Sequence, residues 1–259
     1  MSAEFKTETE HRQEICDTGR LLHQKEYIAA SDGNISVRLS GGRILATPTM
    51  MSKGMMRPGD LVIVDLEGRK LEGQRNVSSE LAMHLLIYNR RPDVEAVVHA
   101  HPPTATGYAA AGLPLNKALI SEVVMALGCV PLARYGTPGT PEMSEALKDL
   151  VPHYDAILMA NHGVVTFGHN LQDAYFKMET VEHFARISLV TETLGRQSLL
   201  SAGDVDKLME ARRRYFGLET APAWQAGCPV PAEGDPGERF WVSRDELMQL
   251  VDEALKKRR

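Results

Sequence analysis

Apolar positions along the chain alternate between stretches spaced three to four residues apart and short dense or period-two runs, the pattern of helices interleaved with strands. Residues 10 to 29 carry Ile15, Leu21, Leu22 and Ile28 among charges at roughly helical spacing, which predicts a first amphipathic helix. ISVRL and RILAT then flank Ser40-Gly41-Gly42, and LVIVDLEGRKLEG bends at Glu67-Gly68, so two hairpin-like units follow in succession. SSELAMHLLIYNRRPD predicts a helix with serine at the cap, an acid in the first turn and a stop at Arg91-Pro92. VEAVVHA is the next strand, PPTATGYAAAG a short helix opened by proline, CVPLARY a further strand, and Thr140-Pro141 the start of a helix through Leu150. AILMA and VVTFG read as strands on either side of Asn161-His162-Gly163, and a long helix covers about 171 to 194. After a helix ending near Gly217, Pro222, Pro229, Pro231 and Pro236 break all periodicity over 217 to 238, and Ser243 with Glu246 forms a capping-box pattern for a last helix. The order predicts an α/β (α+β) architecture, a mostly antiparallel sheet with helices on its faces, in a domain spanning 1–217. Residues 218–259 are then a C-terminal extension, linker plus helix, packing on the same domain or on a neighbouring subunit.

A chain of 259 residues with 43% hydrophobic and 24% charged residues suffices for one substantial core. The formal charge of -5 leaves no overall basic surface for a nucleic-acid or polyanionic partner, and Arg212-Arg213-Arg214 and Lys256-Lys257-Arg258-Arg259 read as solvated helix faces or ends. No apolar run approaches the ~20 residues of a membrane span. The N-terminal MSAEFKTETEHRQE is charged where a signal peptide is apolar. Cys16, Cys129 and Cys228 lie far apart without a CxxC pair, which argues against a disulfide framework and a thiolate zinc site and fits a cytoplasmic location.

The candidate chemistry begins where VEAVVHA ends. Side chains alternate across a strand, so Val98 and Ala100 face one way while His99 and His101 face the other, one pleat apart. His-x-His alone is a weak signal, and a core histidine satisfied by hydrogen bonds explains each residue separately. His162 changes the weighting, because Asn161-His162-Gly163 places a polar, turn-prone triplet between two apolar strands. Three neutral imidazoles with an open position make a catalytic zinc site. Glu80 lies at a helix start, Val77-Ser78-Ser79, that offers hydroxyls and unpaired N–H groups to an anion; the same residues serve equally as a plain cap. Asp32-Gly33-Asn34 and Thr47-Pro48-Thr49 are small-residue loops that suit one phosphate without a lysine, and plain turns explain each of them as well. His84, one turn beyond Glu80, reads as a side chain packed beneath the site.

The ordered set DGNISVR, ATPT, SSELAMH, VVHAH and NHG, within roughly residues 10 to 217, resembles the zinc-dependent class II aldolase/adducin family typified by L-fuculose-1-phosphate aldolase. Ribulose-phosphate 4-epimerases, methylthioribulose-phosphate dehydratases and adducin head domains belong to the same group. The resemblance implies a three-layer αβα fold and a C4 homotetramer with active sites at subunit interfaces. It makes His99, His101 and His162 the ligands of one Zn2+ per subunit, Glu80 the catalytic acid/base, and Gly33, Asn34, Thr49, Ser78 and Ser79 the substrate phosphate pocket. The implied reaction is an aldolase's: a ketose or deoxyketose 1-phosphate is cleaved to, or formed from, dihydroxyacetone phosphate and a small aldehyde through a zinc-stabilised enediolate. The alternatives are a related sugar-phosphate dehydratase, decarboxylase or epimerase, or a non-catalytic zinc- or sugar-phosphate-binding protein. Glutamate rather than aspartate at position 80 favours aldolase or dehydratase over epimerase chemistry, and the presence of all three histidines disfavours an adducin-like structural module. Amidohydrolases also use HxH on a strand, but the eight strand–helix repeats of their barrel are missing here.

Two departures from the family pattern bear on the site. Met50 stands where many relatives have glycine after the threonine, and a methionine is strained there if that position takes positive φ. LISEVVMALG contains no tyrosine, whereas the fuculose-phosphate enzyme uses one from a neighbouring subunit at the corresponding stretch, so fuculose phosphate is not the favoured substrate.

Overall fold

The computed structural model describes residues 6–216. Its centre is one eight-stranded sheet of order β4-β3-β2-β1-β5-β8-β7-β6. The strands are β1 (Asn34–Arg38), β2 (Arg43–Ala46), β3 (Val62–Asp65), β4 (Lys70–Glu72), β5 (Ala96–Ala100), β6 (Leu132–Ala133), β7 (Ala156–Met159) and β8 (Gly163–Gly168). Every neighbouring pair is antiparallel except β6 and β7, as the hairpin signals predict. β5 and β8 are buried at every residue, because helices cover both faces; that is why their sequences read as continuous apolar runs rather than as alternation.

The two faces build two cores. On one, Ile35, Val37, Val98 and Ala100 pack with Ile15 and Leu22 of α1 (Glu8–Gln24), Ala105 and Ala109 of α3 (Pro103–Ala110) and Met178, Val181 and Phe184 of α6 (Leu171–Thr193). On the other, Ile44, Val62, Val97, Val165 and Phe167 pack with Leu81, Met83 and Ile87 of α2 (Leu81–Arg90) and Met143 and Leu147 of α5 (Pro141–Leu147). The fold is therefore a three-layer αβα arrangement. A small third cluster joins Ala118 and Val124 to Val205, docking α7 (Ala202–Phe216) on α4 (Ser121–Ala126). Among the described residues no helix is long and apolar enough to cross a membrane.

Several boundaries differ from the pattern-based ones. α1 starts at Glu8 because Thr7 and Glu10 form a capping box, a T-x-x-E signal two residues ahead of the apolar periodicity, and it ends at Gln24. CVPLARY contributes only Leu132–Ala133 to the sheet, since β6 is an edge strand with one partner. α5 stops at Leu147 rather than Leu150, and α4 has no counterpart in the sequence reading because six residues are too few to show a helical period. Cys129 is disulfide-bonded and Cys16 is a buried free thiol, pushed up to about 11 by burial. The expected 218–259 extension, with its Ser243/Glu246 helix start, lies outside the described residues.

Met50 has φ 56 and is solvent-exposed, so its side chain gains nothing from packing while its Cβ crowds the backbone. Met50→Gly is expected to raise stability by about 0.5–1 kcal/mol, the steric relief outweighing glycine's extra freedom in the unfolded chain. Urea denaturation of parent and variant reads this directly, and a lower midpoint in the variant would contradict it.

Candidate metal centre and active site

The site forms where three central strands meet one end of the sheet. Asn34 opens β1 and is paired with His99 near the end of β5; Ala100, next along β5, pairs with Val164, two residues after His162. The pairing register alone thus brings DGN, HAH and NHG to one edge. His101 Nε2 lies 3.1 Å from His99 Nε2, and one nitrogen from each of His99, His101 and His162 falls within 4.8 Å of the others. The three rings stand edge-on, centroids 4.8–5.0 Å apart. Glu80 closes the group, its Oε1 3.1 Å from His162 Nε2 and its Oε2 3.4 Å from His99 Nε2.

Surrounding groups set the orientation of these rings. His99 Nδ1–H donates to the Val164 carbonyl at 2.8 Å, so its Nε2 lone pair points into the cluster. Asp32 Oδ2 lies 3.5 Å from His101 Nδ1 and orients that ring in the same sense. His162 Nδ1 is buried with no hydrogen-bond partner among the described residues. Gly163 is required by proximity: a Cβ there would sit 2.5 Å from His101 Cδ2 and 2.7 Å from the Ala100 carbonyl oxygen. The preceding Asn161 takes φ 55, a left-handed turn that asparagine tolerates better than most residues. Glu182, fully buried on α6, accepts the N–H groups of Thr104 (3.3 Å) and Ala105 (2.9 Å) and so pins the first turn of α3 directly after His101.

Burial lowers the affinity of His99 and His101 for a proton, with the other imidazoles adding to the effect and Glu80 opposing it. Both rings are thus held neutral, the form a metal ligand needs. For Glu80, burial opposes ionisation, but the His99 ring and hydrogen bonds from His162 and Asn34 outweigh it, holding the carboxyl below the usual carboxylate range. Converging neutral imidazoles beside an ionised carboxylate are a donor set that fits a divalent transition metal.

Glu80 is not in the first turn of α2 as the sequence suggests. It is the residue before Leu81, with φ -98 and ψ 12, and makes no side-chain cap bond. Its carboxylate turns into the cluster instead, where Asn34 Nδ2 donates to Oε2 at 2.7 Å. From this bond the direction of a buried chain follows. Asn34 Oδ1 faces His84, so His84 Nε2 carries the proton and donates; His84 Nδ1 accepts from Ser36 Oγ–H at 2.6 Å; and Ser36 Oγ accepts from Tyr88 O–H at 2.8 Å. His84 therefore prevents the Asn34 amide from flipping and keeps a donor on Glu80. The SSELAMH spacing put His84 and Glu80 on one helix face, but nothing local in the sequence showed that Asn34 lies between them.

The small-residue loops lie beside this carboxylate. Thr47 is buried, its hydroxyl accepting the Ile35 N–H at 3.1 Å and its carbonyl accepting the Ser78 N–H at 3.3 Å; Pro48 bridges to Val77, and Thr49 N–H donates to Asn76. Gly33 has φ +69, and a Cβ there would come within 2.8 Å of the His99 carbonyl oxygen, so glycine alone fits. Gly33, Asn34, Thr49 and Ser78 thus lie on segments tied together by hydrogen bonds, and the Asn34 side chain is already engaged by Glu80 and His84.

Residues 13–189 match the family model described as Class II Aldolase and Adducin N-terminal domain. The chain is 32% identical over 207 residues to 5-deoxy-D-ribulose 1-phosphate aldolase of Bacillus thuringiensis serovar kurstaki, covering 79% of this chain and 96% of that protein. It is 35% identical over 214 residues to 3-oxo-tetronate 4-phosphate decarboxylase of Escherichia coli O6:H1, covering 80% and 99%. Among solved structures, an L-fuculose 1-phosphate aldolase superposes with a TM-score of 0.73 at 30% identity, covering 77% of this chain and 94% of that one.

Gly163→Ala is expected to weaken divalent-metal binding about 10- to 100-fold by displacing the His101 ring, as read by titration with Co2+ and its visible spectrum; unchanged affinity would show that the close approach is immaterial. A second outcome concerns His84, which burial pushes down to about 4 while the Glu80 charge opposes. Between that value and the ordinary histidine range near 6.5 the unfolded chain binds a proton the folded chain refuses, so stability is lost as pH falls through this window. The His84 contribution amounts to about 1.4 kcal/mol per pH unit. Denaturation at several pH values should show a shallower acid decline in His84→Gln than in the parent, and identical slopes would remove His84 as the source.

Proposed function

We propose, from the premise that the chain belongs to the class II aldolase and adducin family, that it is a zinc-dependent lyase cleaving a ketose or deoxyketose 1-phosphate to dihydroxyacetone phosphate and a small aldehyde. The carrying observation is the convergence of His99, His101, His162 and Glu80 beside the Gly33/Thr49/Ser78 patch. His99, His101 and His162 would hold the ion, and zinc when bound supplies Lewis acidity toward a carbonyl–hydroxyl oxygen pair, lowering the energy of negative charge next to it. Glu80, ionised and oriented by Asn34, is the group that removes or returns a proton at the carbon adjacent to the carbonyl. In cleavage, the hydroxyl on the departing carbon gives up its proton as it becomes the aldehyde carbonyl, the carbon–carbon electron pair passes to the carbon beside the ketone, and a proton delivered through Glu80 ends on that carbon, so that the net transfer is one proton from oxygen to carbon. Gly33, Asn34, Thr49, Ser78 and Ser79 grip the phosphate and so hold the reacting carbon within reach of the carboxylate.

A second reading has a specific observation in its favour. The relative at 35% identity is a decarboxylase, and the segment 119–128 lacks the tyrosine of the fuculose-phosphate enzyme. Loss of carbon dioxide leaves the same electron pair for Glu80 to protonate, so one site serves either leaving group. For the assembly, the reading takes residues 1–217 as the catalytic unit of a cytoplasmic homotetramer with active sites at subunit interfaces and 218–259 as an extension on it. The exposed apolar side chains of Leu189, Val190 and Leu194 at the end of α6 support a face covered by another copy.

Glu80→Gln is expected to keep zinc bound and KM near the parent value while kcat falls about 10²- to 10⁴-fold. Zinc-loaded protein offered dihydroxyacetone phosphate with a panel of aldehydes should form new carbon–carbon bonds. Turnover confined to 3-keto-acid phosphates would move it to the decarboxylase reading, and the absence of any turnover would leave a binding protein.

A further inference from the structure

Lys53 is one of the few charged side chains that the fold buries, 2% exposed, and no carboxylate pairs with it among the described residues. Its ammonium instead donates to two backbone carbonyls, those of Ser31 and Met51, the latter at 2.9 Å. Ser31 lies two residues before Gly33, and Met51 two residues after Thr49, so the charge stands between the roots of the two loops assigned above to the phosphate. A third ammonium N–H remains beyond these two bonds. The lysine is built into place: a Cβ on Gly19 of α1 would lie 2.5 Å from the Lys53 carbonyl oxygen, and one on Gly54 would lie 2.7 Å from the His23 ring. Two glycines thus allow the turn Lys53–Met55 to lie flat against α1 and aim the side chain inward. Asp32 and Glu80 act on the ammonium through space without reaching ion-pair distance, and burial pushes it down to about 8.

A buried cation whose only direct contacts are carbonyl dipoles, with carboxylates acting on it from beyond ion-pair distance, is expensive to keep unless an anion completes it. The same loops and helix start also bring the Asp32 and Glu80 carboxylates near the ammonium, and the remaining groups there are neutral N–H and hydroxyl donors. We propose that Lys53 sets the preference of this pocket for a doubly ionised phosphate, joining the two loops through Ser31 and Met51 and supplying the positive potential that their neutral donors lack. This deepens the phosphate-pocket assignment and rests on it. Lys53 acts as a positioning and electrostatic residue, and its effect falls on binding of phosphorylated ligands rather than on the proton transfer at Glu80.

The test is calorimetric titration of inorganic phosphate into zinc-loaded parent, Lys53→Met, Lys53→Arg and Lys53→Gln proteins, with zinc content measured in each. Phosphate affinity is expected to fall on the order of 10- to 100-fold in Lys53→Met and to stay within a few-fold of the parent in Lys53→Arg, with zinc stoichiometry equal throughout. Where Lys53→Met fails to fold, Lys53→Gln, which keeps a donor for one carbonyl but no charge, reads the same loss. Parent-like phosphate affinity in a folded neutral variant overturns the role of Lys53 and leaves the pocket standing. A parent protein that binds no phosphate overturns both the role and the pocket.

Discussion

Withdrawing several polar side chains from water at the edge of an apolar sheet is unfavourable unless each finds a partner, and the local architecture around His99, His101, His162 and Glu80 answers that requirement. The backbone carbonyl of Val164 takes the outer N–H of His99, and Asp32 stands behind His101. Glu80 receives Asn34, which is itself fixed by His84, Ser36 and Tyr88. These partners come from β1, β8, α2 and the loop before β1, so four segments of the sheet edge are tied together by one polar network. The low proton affinity at His99 follows from its burial, and the ionised Glu80 from pairing that outweighs its own burial.

Backbone geometry supplies the rest of the pocket. Gly33 and Gly163 permit approaches that any Cβ would block, one against the His99 carbonyl and one against the His101 ring. Glu182 holds the turn that follows the His-x-His strand, with a buried carboxylate in place of the missing cap residue at Pro102. Lys53 ties the loop before β1 to the loop after β2 by bonding one carbonyl from each. The loops can therefore be small, polar and irregular while remaining fixed, which is what recognition of a compact anion asks of them.

This arrangement suits a family in which related chains bear the names of aldolases and a decarboxylase. The shared demand of those reactions is an electron pair placed next to a carbonyl and a carboxylate to protonate or deprotonate that carbon.

Much was legible in the residues themselves. Periodicity found the main helices and both hairpins, and the order of small motifs pointed to His99, His101, His162 and Glu80, because strand alternation and turn chemistry act over a few residues and leave their mark in a few residues. The left-handed turn at Met50 was foreseeable only through the family pattern, which has glycine at that position in many relatives. What the fold alone decided are relations between segments distant in sequence. The Asn34 amide serves Glu80 rather than standing free in a loop, His84 determines which way that amide faces, Asp32 backs His101, and Lys53 joins two loops. The early end of CVPLARY as a strand belongs to the same class. Such contacts depend on register and packing across the sheet, which no short stretch of chain encodes.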